Sequence, residues 1–152
     1  MKHLLVVEDN TTKQLAIEQA VEGNDRKILA AQNIATAYSL ISVQPWDLII
    51  LDMTFHASLG PGHESLREPL AGLEVLQFIA RQRMTTPVIV ATQHSSFDST
   101  EIPGLDSIEK LHSALSRAFP RNYKTTVAVD LFQDDWKGTL RTVVEAILAG
   151  NK

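Results

Sequence analysis

A chain of 152 residues is long enough for one domain with a full core and too short for two ordinary ones. Apolar residues at 44% and charged residues at 21% are those of a soluble globular chain, and a net charge of −4 leaves no basic surface for nucleic acid or anionic lipid. The absence of cysteine excludes disulfides, thiolate metal sites and thiol nucleophiles. The apolar run near the amino terminus is too short for a signal peptide or a membrane span, so a cytoplasmic location with no membrane partner is expected.

In chain order, the apolar run LLVV at 4–7 reads as a strand and ends in Glu8 and Asp9. Asn10, Thr11 and Thr12 offer helix caps. Leu15, Ile17, Ala20 and Val21 then recur at roughly helical spacing until Gly23-Asn24 stops the helix. A short second strand is expected over 27–31. Ile34, Ala37, Tyr38 and Ile41 mark a second helix, ended before Pro45. Residues 46–51 predict a third strand, whose apolar run at 48–51 stops abruptly at Asp52, as in a strand buried on both faces. Periodicity is lost over 53–71, where Gly60, Pro61, Gly62 and Pro69 predict a long mobile loop that partly covers the sheet edge.

Leu73, Val75, Leu76, Phe78, Ile79 and Ala80 restore a helix, which Thr85-Thr86-Pro87 ends. Residues 87–91 form a fourth strand, followed by Thr92. A polar stretch at 93–104 leads to a helix whose stripe is Leu105, Ile108, Leu111, His112, Leu115 and Phe119, closed by Pro120. A fifth strand is expected over 125–131. Asp134 or Asp135 caps the last helix, with Trp136, Leu140, Val143, Val144 and Ile147 on its buried face.

Strands alternating with helices in this way predict an α/β fold: a doubly wound, five-stranded parallel sheet with helices on both faces, in one domain spanning 1–152. Ligands of such sheets bind beyond the carboxyl ends of the strands. Glu8, Asp9 and Asp52 would converge there. A cluster of carboxylates repels itself unless a divalent cation or a proton neutralises it, so Mg²⁺ or Mn²⁺ is expected to bind.

The segments LLVVEDN, DLIILDM, GLEVLQFI and TPVIVAT, in that order, resemble the receiver domain of two-component response regulators over nearly the whole chain. The resemblance implies the flavodoxin-like strand order 2-1-3-4-5. It implies that Asp52 accepts a phosphoryl group from a histidine kinase or phosphotransfer protein. Mg²⁺ would be held by Glu8, Asp9, Asp52 and the backbone carbonyl of Thr54, with Thr92 as the switch hydroxyl. It implies a signalling module rather than an enzyme, with no output domain in the chain. Output would be contact with a downstream protein, or a homodimer, through the face of the fourth helix, fifth strand and fifth helix.

The chain departs from that family's pattern at its last strand. Asp130 falls where the family has lysine, Leu131 where it has proline, and Val127 where an aromatic is usual; Gln93 replaces a small residue. A carboxylate at 130 would add repulsion to the acidic cluster, and Lys13 and Lys124 are the candidate substitute cations. The family's glycine after the acceptor corresponds to Gly72, displaced by a longer loop that carries His56, His63, Glu64, Arg67 and Glu68.

Asp130 and Val127 also fit a pseudo-receiver, an interaction module of the same fold that works without phosphorylation. A Mg²⁺-dependent phosphohydrolase or nuclease-type domain is disfavoured, because Asp52-Met53-Thr54 lacks a second aspartate. His56 and His63 lack the helical spacing of a zinc site and read as loop residues, and no Walker-type lysine follows Gly60-Pro61-Gly62. Trp136 reads as a core anchor and His112 as a packed or half-exposed residue.

Overall fold

The computed structural model describes residues 1–53, 55–57, 66–68, 71–93 and 108–150. Its main sheet has five strands: β1 (Lys2–Val7), β2 (Arg26–Ala31), β3 (Leu48–Leu51), β6 (Val88–Gln93) and β7 (Tyr123–Val129). Two short strands, β4 (Phe55–Ala57) and β5 (Leu66–Glu68), form a separate antiparallel pair. The main sheet is parallel throughout and ordered β2-β1-β3-β6-β7, which is the expected 2-1-3-4-5 once the inserted pair is set aside. The helices are α1 (Thr11–Val21), α2 (Ile34–Val43), α3 (Ala71–Arg81), α4 (Ile108–Ala118) and α5 (Asp135–Gly150).

The central strands are apolar at every position because successive side chains enter opposite cores. Leu5, Val7, Ile49, Leu51, Val88 and Val90 pack on the side of α2, α3 and α4, with Ala37, Ile41, Val75, Leu76, Ile79, Leu111 and Leu115. Leu4, Val6, Leu48, Ile50, Ile89 and Ala91 pack on the side of α1 and α5, with Ile17, Ala20, Val21, Trp136, Leu140, Val144 and Leu148. Helices therefore cover both faces and leave the carboxyl edge of the sheet to carry polar groups.

Several boundaries differ from the sequence pattern for local reasons. Trp46 is not in β3. Its indole Nε1 donates to the Leu40 carbonyl at 2.9 Å, plugging the turn after α2, and Asp47 then accepts from the His3 amide at 2.7 Å. Leu131 lies beyond β7, which begins earlier, at Tyr123. There the buried Asn122 donates to the carbonyls of Met84 and Thr86 at 2.8 and 3.0 Å. Part of the expected loop over 53–71 is the β4–β5 pair; whether that loop moves or covers the sheet edge, like the polar stretch after Gln93 and Leu105, lies outside the described residues.

The largest difference is in α1. Leu15 is 51% exposed, and the buried stripe is Lys13, Ile17, Ala20 and Val21, spaced i, i+4, i+7 and i+8. A lysine thus occupies a position on the helix face turned to the sheet.

Candidate functional site

The register of the central strands builds the site. Val7 pairs with Leu51, and Leu51 with Val90, so the residues that follow Val7 and Leu51 emerge together at the carboxyl edge. The ladder runs one step further: the Glu8 amide donates to the Ala31 carbonyl at 2.9 Å and the Asp52 amide to the Val7 carbonyl at 3.0 Å. Glu8 and Asp52 are 2% and 5% exposed, and Asp9 is half-buried. Each of the three offers a carboxylate oxygen, and those oxygens lie within 4.8 Å of one another.

Lys13 reaches this cluster from the first turn of α1. Asn10 caps the helix by accepting from the Lys13 amide at 2.9 Å, which fixes where the side chain starts. The ammonium then lies 3.0 Å from Glu8 Oε2 and 3.1 Å from Asp52 Oδ1, with Lys13 itself 2% exposed. Among the described residues, one ammonium bridges two buried carboxylates. Burial and the neighbouring Asp52 push the Glu8 carboxyl up to about 8, against the opposing pull of Lys13.

This donor set is all carboxylate oxygen, which suits a hard divalent cation such as Mg²⁺ or Mn²⁺ and not a soft one. The penalty on an ionised Glu8 points the same way. Thr54, whose carbonyl was expected to join the set, lies outside the described residues.

Thr92 sits at the end of β6, the strand beside β3. It is fully buried, and its Oγ1 finds no hydrogen-bond partner among the described residues. An orphaned buried hydroxyl costs stability unless something bonds it, so its position next to β3, the strand that ends at Asp52, is chemically pointed.

Asp130 does not add a fourth charge to the cluster. It is exposed, and its Oδ1 accepts from the Phe132 amide at 3.0 Å, closing a turn within its own loop. The expected repulsion therefore does not arise from this placement. Lys124 is exposed near the start of β7, next to the Tyr123–Val88 pair and so at the opposite end of the sheet. Of the two candidate cations, only Lys13 is placed at the carboxylates. Val127 is 5% exposed and packs in the α1–α5 core. Leu131 is half-buried against that core and lines a groove with Leu15 and Trp136.

Trp136 is 6% exposed in that core, as expected of an anchor, and its Nε1 donates to the carbonyls of Asp130 and Gln133 at 2.9 and 3.0 Å. His112 is exposed, and its Nδ1 lies 2.8 Å from the Tyr123 hydroxyl, tying α4 to β7. The side chains of His56, His63, Glu64, Arg67 and Glu68 lie outside the described residues. No helix among the described residues is long and apolar enough to cross a membrane.

A sequence profile for the response regulator receiver domain matches residues 4–109. The chain is 30% identical over 149 residues to the Detocs response regulatory protein DtcB of Enterobacter cloacae, spanning 90% of this chain and 94% of that protein. Among solved structures, the receiver domain of the Francisella response regulator 1452 matches with a TM-score of 0.64 and 20% identity, over 100% of both chains. The phosphorylated cyanobacterial phytochrome response regulator RcpA matches with a TM-score of 0.63 and 19% identity, over 98% of this chain and 95% of that one. At such identities the solved structures speak for the fold alone.

Proposed function

Because the chain belongs to the response regulator receiver family, and is a receiver domain of two-component signalling, we propose that Asp52 is its phosphoacceptor. The observation that carries this is the placement of Asp52: buried at the carboxyl edge, beside Glu8, with an ammonium 3.1 Å from its carboxylate. Receivers are signalling domains served by a histidine kinase or a phosphotransfer protein. In the transfer, a carboxylate oxygen of Asp52 attacks phosphorus, an O–P bond forms, the N–P bond of the donor phosphohistidine breaks, and the imidazole nitrogen keeps the electron pair. Little covalent assistance is needed; positioning and charge neutralisation supply most of the rate.

Glu8, Asp9 and Asp52, with the Thr54 carbonyl, would hold Mg²⁺ or Mn²⁺, which when bound neutralises the charge on the transferred oxygens. Glu8 itself is held in place by the hydrogen bond its amide donates to the Ala31 carbonyl of β2, and by the Asn10 amide, which donates to its Oε1 at 3.3 Å. Lys13 supplies the buried positive charge that position 130 does not. The Thr92 hydroxyl donates to the acquired phosphoryl group, which draws the end of β6 toward β3 and passes the change on to α4 and β7. Contact with a downstream protein, or with a second copy, through α4, β7 and α5 then reads it out.

Labelling with acetyl phosphate or a phosphorylated kinase in the presence of Mg²⁺ tests the acceptor. Wild type is expected to take up label, and Asp52→Asn none. Label that persists in Asp52→Asn would move the acceptor elsewhere. The pseudo-receiver reading draws support from the same ion pairs, since Lys13 already satisfies part of the acidic cluster; an unlabelled wild type that binds its partner would establish it. Asp130→Ala is expected to leave labelling within about twofold of wild type, the effect of an ordinary exposed substitution. A large loss would show that the carboxylate acts on the site from its loop.

A further inference from the structure

We propose that Lys13 is a tethered counter-ion that competes with the divalent cation for Glu8 and Asp52, and that it turns its ammonium to the phosphoryl group once metal is bound. The proposal rests on the reading of Glu8, Asp9 and Asp52 as the metal carboxylates, and goes beyond it by assigning the regulation of that site to a residue of α1.

The geometry points to competition because Lys13 does not approach Asp52 from a separate side. It bridges Glu8 Oε2 and Asp52 Oδ1 at 3.0 and 3.1 Å, and both residues belong to the metal set. Mg²⁺ needs oxygens at about 2.0–2.1 Å. An ammonium already bonded to two of those carboxylates would then face a doubly charged ion across a distance that buried surroundings screen poorly. Both cannot keep Glu8.

The charge count says which contact is given up. Counting the described residues alone, the cluster with all three carboxylates ionised carries −3, Lys13 leaves −2, and a divalent ion brings the total to zero. The ammonium is therefore not expelled by the metal; it only has to release Glu8. Asp52 is where charge is added when a phosphoryl group arrives, so the ammonium that remains there gains a stronger partner. The backbone of Lys13 is held by the Asn10 cap, while its four-carbon stem can re-aim the ammonium over a few ångströms. Position 130 cannot take this role, since Asp130 carries a carboxylate, which accepts from the Phe132 amide in its own loop.

One substitution should therefore move two affinities in opposite directions. Lys13→Met removes the charge and keeps most of the apolar stem. Its affinity for Mn²⁺ alone, read from the free-ion signal by electron paramagnetic resonance, is expected to rise by about tenfold. Its affinity for beryllofluoride at saturating Mg²⁺ is expected to fall by about tenfold. In chelator its melting temperature should drop, because two buried carboxylates lose their cation, and metal should restore it. Lys13→Gln, equally uncharged, carries the same test if the methionine variant does not fold.

An unchanged or weaker Mn²⁺ affinity in both variants overturns the competition, and an unchanged beryllofluoride affinity overturns the transfer to the phosphoryl group. A purely structural lysine would weaken both ligands together. Failure of the underlying site looks different: Asp52→Asn would leave Mn²⁺ binding intact, or no variant would bind Mn²⁺ at all.

Discussion

In chelator at pH 8, the Glu8→Gln chain is expected to melt well above the wild type, and at pH 4.5 or below the two should melt together. The cause is the cost of an ionised Glu8 in a site 2% exposed beside Asp52. Folding raises this carboxyl from the usual 4.5 to about 8, so the folded chain binds the proton more tightly than the unfolded one. The stability that goes with that proton is fully present below pH 4.5 and is lost as pH rises through 8. A shift of this size corresponds to something on the order of 5 kcal/mol. In a chain of this length that is about 10 °C of melting temperature. Glutamine has the shape of the protonated acid and nothing to ionise, so its curve should be flatter over the same range. Saturating Mg²⁺ should reverse the order at pH 8, because the metal rewards the ionised form that burial penalises. Wild-type melting that stays flat from pH 4.5 to 8 in chelator would show that the pocket is better compensated than its one ammonium suggests.

Gly72→Ala is expected to lower the melting temperature by about 6–12 °C. Gly72 is the second residue of α3 and lies directly over Asp52. A Cβ there would collide with the Asp52 carbonyl oxygen and meet Met53 Cα and Sδ at 2.9 Å. The methionine sulfur could move aside. The other two atoms are backbone, pinned by the Gly72 amide donating to the Met53 carbonyl at 2.9 Å, so either α3 or the end of β3 must shift. Overpacking of this kind costs about 1–3 kcal/mol, and contact with rigid backbone belongs at the upper end. Because the displaced atoms carry Asp52, the same variant should lose phosphoryl uptake at temperatures where it is still folded. Melting within a degree or two of wild type, with labelling intact, would mean that α3 can slide outward without disturbing Asp52.

Much of this was legible in the residues. The runs at 4–7 and 48–51 each end in acid, and a parallel sheet with both faces covered has only its edge for such groups, so the meeting of Glu8 and Asp52 followed from strand logic. Gly72 could be singled out as the displaced family glycine before its contact with Asp52 was known. Lys13 could be named only as a candidate. Its spacing from Ile17, Ala20 and Val21 is that of a core stripe, but a lysine is normally read as solvated, and Leu15 offered a more apolar choice for the same helix. What decides between them is tertiary: two carboxylates on neighbouring strands that need a cation. Asp130 failed in the opposite sense. Its place in the chain aligns with the site, yet a turn bond to Phe132, invisible to strand alignment, directs the carboxylate away.

The hydrogen bond between Gly72 and Met53 has a consequence for the chain between them. It clasps the two ends of that segment at its stem, so the ends meet whatever lies between. Closing a loop whose ends are already fixed depends on length only logarithmically; each doubling costs roughly 0.6 kcal/mol. Length can therefore be added or removed beyond the clasp while β3 and α3 keep their register. The receiver scaffold has here a port for new surface, opening one residue after Asp52.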